Sequence, residues 1–310
     1  MKRVVSVSLG SSRRNKSVKA VILGEEFSIE RIGTDGDMSK AVQLVRDLDG
    51  KVDAFGMGGC DLYVRFGKRK YLLRGVLPIA QAARKTPMVD GGGLKDTLER
   101  RVVAYLGRNL SVPLRGKTAL IVSAMDRFGM AESLAAEGCE LILGDFMFAL
   151  GLNIPLRSLR SLDWAARLVG PIACRLPFTM LYPTGKEQDR EPQPRFQWAY
   201  QAADIIAGDY HYIRKHMPAR LDGKLVLTNT VTEADVEDLR KRGVGVLVTT
   251  TPEMDGRSFG TNVLEGVLVA LSGKRPEQLT TQDYNDLLDR IGFVPRVEYL
   301  NDSGWKVRHT

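Results

Sequence analysis

The sequence predicts a two-domain α/β protein, with an N-terminal α/β domain followed by a Rossmann-like domain built on a parallel sheet. Two observations predict this class. Short apolar runs, typical of buried strands, alternate with segments of helical periodicity along most of the 310 residues. Residues 117–145 also have the strand–turn–helix–strand–acid order of a dinucleotide-binding unit. This alternation predicts parallel strands joined by right-handed crossovers.

The first domain is predicted from apolar runs followed by turns. Strands are expected at Val4–Leu9, Phe27–Ile32 and Val52–Met57, with a helix at Ser39–Leu48. Residues 63–73 predict a hairpin, because two aromatic-rich runs flank a Gly-Lys-Arg-Lys turn. A short strand, the run Asp90-Gly91-Gly92-Gly93 and a helix then complete the domain.

Residues 109–115 read as a linker, which places a domain boundary near residue 113. In the second domain, strands are expected at Leu225–Thr228 and Val244–Thr249, and a closing helix at Asn262–Leu271. The predicted units are therefore a substrate domain at 1–113, a Rossmann-like nucleotide-binding domain at 114–276, and a C-terminal helix and tail at 277–310 that returns to the first domain.

Composition excludes several functional classes. The net charge of +8 favours an anionic small-molecule substrate, but no basic tail or aromatic RNA-binding motif predicts a nucleic-acid partner. The three cysteines are far apart and the three histidines have no metal-ligand spacing, so no metal is expected. The N-terminus lacks the apolar core of a signal peptide, and a cytoplasmic location is expected.

Residues 161–182 form an apolar segment interrupted by arginines and prolines. It is too broken to span a bilayer as a helix. Its place between two predicted strands favours a crossover that also serves as a homodimer interface. An interfacial membrane contact through the same apolar surface is the alternative.

The turn at residues 124–129 departs from the Gly-x-Gly-x-x-Gly pattern of dinucleotide sites, because only Gly129 remains and Asp126 stands at the middle glycine. If a dinucleotide binds, Arg127 would supply charge to its phosphates, and Phe128 and Gly129 would continue the turn. Asp145 closes the next strand at the position that takes ribose hydroxyls, which favours NAD over NADP. A Rossmann-type domain that has lost its dinucleotide is the alternative.

Two further turns are candidate binding sites. Asp90 follows a strand and precedes three glycines and a helix, an arrangement that suits both an anion site and a capped turn. The stretch after the last predicted strand contains Thr249, Thr250 and Asn262, small polar residues suited to lining a cofactor or substrate pocket.

Three stretches carry a resemblance to a known family. The first stretch is SVSLGSS at residues 6–12. The second is VDGGGLKDTL at 89–98, just upstream of GKTALIVS at 116–123. The third is GTNVLEGVLVALSG at 260–273. Their order resembles the shikimate/quinate dehydrogenase family, over the architecture of most of the chain. The resemblance implies that Asp90 is the catalytic aspartate and that Ser6 and Ser8 contact substrate. The family's lysine motif is not matched, and Lys70 or Lys68 in the following hairpin is the nearest substitute.

Three hypotheses about function follow. The first is an NAD(P)-linked oxidoreductase of the shikimate/quinate dehydrogenase type, acting on a small polyhydroxy carboxylate with Asp90 and Lys70 or Lys68 as the acid/base pair. The second is a non-redox enzyme, a lyase or transferase, that uses the same interdomain cleft. The third is a non-catalytic ligand-binding protein.

Overall fold

A computed structural model describes residues 1–66, 69–173, 192–251, 253–254, 257–258 and 260–306 of the chain. It confirms the predicted class, because two sheets with mostly parallel strands are each packed against helices. The C-terminal ends of the central strands of both sheets face the region between the domains, which is where open α/β sheets place binding residues.

The strands of the first domain are, in chain order, β1 (Lys2–Ser8), β2 (Lys16–Ile22), β3 (Glu25–Gly33), β4 (Ala54–Gly58), β5 (Tyr63–Phe66), β6 (Arg69–Leu72) and β7 (Met88–Val89). Within the described residues the main sheet has the order β2–β3–β1–β4–β7, and β5 pairs with β6 as a separate hairpin. Strand β2 is antiparallel to β3, and the other neighbours in the main sheet are parallel. Strands β1 and β4 are central and almost entirely buried.

The helices that follow strands of the first domain are α1 (Met38–Leu48), α2 (Leu77–Ala82) and α3 (Gly92–Asn109). Helix α1 begins where the Asp37 side chain accepts a hydrogen bond from the Lys40 amide, so this aspartate is an N-cap. Helix α3 is the longest of the three and connects the two domains. Gly91, at φ +92°, makes the left-handed turn that starts it.

The strands of the second domain are β8 (Thr118–Ile121), β9 (Glu140–Leu143), β10 (Ile205–Ala207), β11 (Leu225–Thr228), β12 (Val246–Thr249), β13 (Glu253–Met254), β14 (Arg257–Ser258) and β15 (Arg296–Tyr299). In the part of the chain that is described, the main sheet has the order β15–β12–β11–β10–β8–β9, with β13 and β14 as a two-stranded hairpin. Only β15 pairs antiparallel in that sheet. The parallel strands read as uninterrupted apolar runs because both of their faces are covered.

The remaining helices are α4 (Phe128–Ala136), α5 (Leu159–Ala173), α6 (Gln197–Ala202), α7 (Tyr210–His216), α8 (Glu233–Lys241), α9 (Thr261–Ser272) and α10 (Thr281–Arg290). A capping box formed by Thr232 and Asp235 starts α8. A short π-helical turn follows β9 at Asp145–Ala149.

The C-terminal part of the chain differs from the predicted domain borders. Helix α9 packs its valines 263 and 267 on Val4 and Ala54 of the first sheet, although it lies inside the predicted segment 114–276. Helix α10 packs against α3 and α9, whereas β15 joins the second sheet. The tail therefore crosses between the domains rather than returning to the first alone, since its helix and its strand bury their apolar faces in different cores.

The segment predicted as a crossover and dimer interface begins as helix α5. Its residues 174–182 lie outside the described part of the chain, so the homodimer stays a prediction. Trp164 and Leu168 on this helix are about three-quarters exposed, at 73% and 74%. Across the described ranges, no helix combines the length and apolarity that crossing a membrane requires.

Candidate functional site

A cavity of about 220 Å³ lies between the two domains. It is lined by residues that follow β1, β4 and β7 of the first sheet and by residues that follow β8, β10 and β11 of the second. Parallel strands of both sheets thus deliver side chains to one cleft, which is the usual location of ligands in this fold class.

One wall of the cavity brings together the three predicted substrate residues, Ser6, Ser8 and Asn262. Asn262 Nδ2 donates a hydrogen bond of 2.7 Å to Ser6 Oγ, which joins the first turn of α9 to β1. Gly56 permits this approach, because a Cβ there would lie 2.8 Å from Asn262 Nδ2. Residues separated by more than 250 positions thus meet at the cavity, and their role in binding a ligand stays a prediction.

Asp90 also lines the cavity, but its carboxylate is held by the backbone. Oδ2 accepts hydrogen bonds from the amides of Leu62 and Tyr63 at 2.6 and 3.2 Å, and Oδ1 accepts one from Gly92 at 2.8 Å. These bonds tie the segment before β5 to the start of α3. Asp90 therefore anchors the cleft wall.

The acid/base pairing predicted for Asp90 involves Lys70 or Lys68. Lys68 lies outside the described residues, and Lys70 is described only through its backbone, which pairs with Arg65 in the β5–β6 hairpin. The proposed acid/base pairing of these lysines with Asp90 stays a prediction. A different lysine, Lys95, lines the same cavity.

Lys95 bridges the two domains from the first turns of α3. Its Nζ lies 2.8 Å from Asp126 in the turn after β8 and 3.5 Å from Asp61 in the segment after β4. Burial alone would lower the pKa of the amine, but Asp126 and Asp61 outweigh it and raise that pKa above its usual value. Lys95 therefore remains a cation that holds two carboxylates together.

Asp61 is the carboxyl group in the cavity whose charge changes near neutral pH. Burial raises its pKa to about 6, Lys95 opposes the rise, and the nearby charges of Asp126 and Asp90 add to it. A carboxyl with such a pKa can accept or release a proton at physiological pH. The sequence analysis does not predict the pair of Asp61 and Lys95. A lysine near the positive N-terminus of a helix is unfavourable, so Lys95 at the start of α3 is the residue that could have indicated nearby carboxylates.

The predicted ribose-binding residue, Asp145, faces the turn instead of the cleft. It is buried, and its carboxylate accepts hydrogen bonds from the amides of Met125 and Ala124 at 2.8 and 3.2 Å. Burial raises its pKa to about 7 while these two bonds oppose the rise. The geometry differs from the prediction because the carboxylate binds the turn amides that a pyrophosphate would need.

Arg127 differs from its predicted role in the same way. The side chain is buried, with Nη1 2.8 Å from Glu99 of α3 and Nη2 3.2 Å from Asp209 at the start of α7. Glu99 also accepts a hydrogen bond from the amide of Met130. The guanidinium was predicted to contact phosphates, but it neutralises buried carboxylates from two parts of the fold.

The other predicted cofactor residues have packing roles. Phe128 packs against the core of the second domain, and a Cβ on Gly129 would collide with the Asp96 carboxylate, so this glycine lets α4 approach α3. Thr249 and Thr250 are almost fully buried. The hydroxyl of Thr249 donates to the carbonyl of Thr251 at 2.8 Å. None of these four is among the residues that line the cavity within the described ranges.

A second contact between the domains lies at the cavity rim. Arg14, in the short helical turn after β1, has Nη1 2.9 Å from His211 Nε2 and Nη2 3.6 Å from Asp235 of α8. Arginine can only donate, so Nε2 of His211 accepts and carries no proton. Burial lowers the pKa of His211; Arg14 and Arg214 lower it further, whereas Asp209 and Asp235 oppose the shift. His211 is therefore neutral in this arrangement.

The described residues place no three His, Cys, Asp or Glu side chains where they could jointly hold a metal ion. The cleft offers three sets of polar groups: hydroxyls and an amide on one wall, carboxylates around Lys95 on another, and arginines. Such a set recognises a small polar molecule by hydrogen bonds and charge.

The chain belongs to the family described as a domain of unknown function, DUF8754, whose model matches residues 93–300. The model of a second domain of unknown function, DUF8753, matches residues 3–90. The two matches meet at the turn between β7 and α3. No curated protein matches the chain in sequence.

Solved structures are similar to the chain over most of its length, at low identity. A solute-binding protein of an ABC transporter from Burkholderia graminis C4D1M, in complex with D-arabinose, is 11% identical, with coverage of 96% of this chain and 95% of its own and a TM-score of 0.38. The NAD-dependent malic enzyme from Thermotoga maritima is 13% identical, with coverage of 94% and 84% and a TM-score of 0.33.

We predict that Arg127→Met lowers the free energy of unfolding by about 3–5 kcal/mol, because it leaves the buried Glu99 and the half-buried Asp209 without their cation. Urea unfolding followed by circular dichroism measures the change. Arg220→Met is the control, since Arg220 and Asp222 form an exposed pair and the urea midpoint should not move. The double variant Arg127→Met/Glu99→Leu should recover part of the loss. A wild-type midpoint for Arg127→Met would show that the buried network does not hold the fold.

We also predict that protonation of His211 weakens the contact with Arg14. The pKa of His211 is lowered by folding, so the unfolded chain binds its proton first, and stability falls as pH drops below about 6.5 toward the folded value. His211→Gln keeps an acceptor for Arg14 but does not titrate. Thermal midpoints from about pH 8 to about pH 5.5 should therefore decline less in the variant than in the wild type. Equal declines would contradict the assignment.

Proposed function

We propose that the protein binds a small hydroxylated molecule in the cleft between its two domains, in the cytoplasm, and that the turn at 124–129 holds no dinucleotide. The observation that supports this most is the convergence of Ser6 and Asn262 from one wall with Asp61 and Lys95 from the other on one cavity. Hydroxyl groups of a ligand both donate and accept hydrogen bonds, and this set offers partners of both kinds.

The size of the cavity supports a small ligand. Its volume of about 220 Å³ is below the roughly 300–1,000 Å³ of pockets for drug-sized molecules. A dinucleotide would need a second binding region on the Rossmann-like domain. The turn amides of Ala124 and Met125, which would begin such a region, are bonded to Asp145.

An NAD(P)-linked oxidoreductase of the shikimate/quinate dehydrogenase type is the competing proposal, and a non-redox lyase or transferase shares its main support. Asp61 and Lys95 support both enzymatic proposals. A carboxyl with a pKa of about 6 beside a fixed cation can exchange protons with a bound hydroxyl. Oxidation would in addition need NAD to displace Asp145 from the turn. Binding of a small ligand in the cleft requires no such movement of Asp145.

Calorimetric titration tests the proposed binding. Quinate, shikimate and gluconate, with the neutral polyol inositol, form a suitable panel of hydroxylated probes. We expect saturable binding of at least one member, weakened at least tenfold by Ser6→Ala or Asn262→Ala, because each change removes a hydrogen-bonding group from the cavity wall. Ser17→Ala, at an exposed position of β2, is the matched control and should bind as the wild type does.

Two results would contradict the proposal. One is the absence of binding by every panel member at millimolar concentration. The other is binding that Ser6→Ala and Asn262→Ala leave unchanged, which would place the ligand outside this cleft.

A further inference from the structure

We propose that the cleft contains a subsite for an oxyanion, a carboxylate or a phosphate monoester of the ligand, formed by Lys16, Arg31 and the hydroxyl of Ser8. This inference rests on the proposed function and names the charged part of its ligand. It is carried by strand register, by the orientation of the arginine and by the separation of charge along the cavity.

Strand register places the two cations side by side. Lys16 of β2 is directly opposite Arg31 of β3, and Arg31 is directly opposite Ser6 of β1. Directly opposite residues project from the same face of a sheet, so this row presents its three side chains together. All three line the interdomain cavity.

Like charges directly opposite each other in a sheet repel and destabilise it. The pair Lys16–Arg31 stands where both side chains border a cavity and neither is fully buried. An anionic group held between the two cations would be attracted by both of them. Arg14, from the turn after β1, also lines the cavity, but Asp235 and His211 already contact its guanidinium.

The guanidinium of Arg31 is already oriented. Nη2 donates to Ser8 Oγ at 3.0 Å and Nη1 donates to the carbonyl of Ser11 at 3.1 Å. Gly58 leaves the space beside Ser8 open, because a Cβ there would lie 3.0 Å from the Ser8 hydroxyl. A group fixed in advance loses less conformational freedom when it binds an anion.

The other end of the cavity, next to β4 and β7 in the sheet, holds more carboxylates than cations, although Lys95 and Arg127 lie among them. Asp61, Asp90 and Asp126 line that end around Lys95. A ligand with one charged group would point it toward Lys16 and Arg31 and present its hydroxyls to the carboxylates. Hydroxy acids and sugar phosphates have this division of charge, and neutral sugars and polyols lack it.

Paired probes test the subsite: gluconate against sorbitol, glucose 6-phosphate against glucose, and inorganic phosphate against chloride at equal ionic strength. Calorimetry measures affinity, and thermal midpoints report stabilisation by phosphate. Arg31→Gln and Lys16→Gln should each weaken the anionic probes at least tenfold and change the neutral ones little. Two variants keep the test valid if one of them fails to fold.

Lys19→Gln is the matched control, because it removes the same charge from the same strand on its opposite, exposed face. It should leave every affinity unchanged. Binding of gluconate alone or of glucose 6-phosphate alone would support the subsite and identify its anion.

Two patterns separate failure of the subsite from failure of the proposed function. Sorbitol or glucose binding as tightly as its anionic partner, with no effect of Arg31→Gln or Lys16→Gln, would overturn the subsite and leave the cleft as the ligand site. Phosphate stabilisation that depends on Arg31, without binding of any hydroxylated probe, would support the subsite and contradict the proposed function. Absence of both kinds of binding would overturn both.

Discussion

The buried contacts of Arg127 determine how the rest of the structure is arranged. The guanidinium joins Glu99 of α3 to Asp209 at the start of α7, and Glu99 also holds the amide of Met130 in α4. Buried charges must be neutralised in place, since an unpaired one costs several kcal/mol, on the order of 3–5. The network therefore fixes α3 against the second domain. Lys95, about one turn earlier on α3, lies between Asp126 and Asp61 as a result.

This arrangement explains why a Rossmann-like unit can persist without its glycines. A glycine turn leaves amides open for a pyrophosphate, whereas here Asp145 accepts hydrogen bonds from two turn amides and the neighbouring Arg127 is held among carboxylates. Asp145, the turn amides and Arg127 thus make their contacts inside the protein. The polar groups that still face the cleft come mainly from the strands and loops of the first domain and from the N-terminus of α9.

The sequence predicts most central strands, because a parallel strand buried on both faces reads as an apolar run. It does not predict β2, whose residues KSVKAVI alternate between exposed and half-buried positions at a sheet edge. Ser6 and Ser8 are candidates through the family resemblance and Asn262 through the polar stretch after the last predicted strand, and all three line the cavity. Lys16 and Arg31 are not candidates from the sequence, because their proximity depends on pairing register. The burial of Arg127 likewise depends on a partner 28 positions away, which local patterns do not reveal.

Calorimetric titration of the wild-type protein with NAD tests the central claim most directly. That claim is that the turn amides are occupied by Asp145 and that ligands enter the cleft instead. The account predicts no saturable heat of binding at millimolar NAD, under conditions in which a hydroxylated probe binds. Saturable binding of NAD that Asp145→Asn alters would contradict it, because it would show that the carboxylate leaves the turn to receive the dinucleotide.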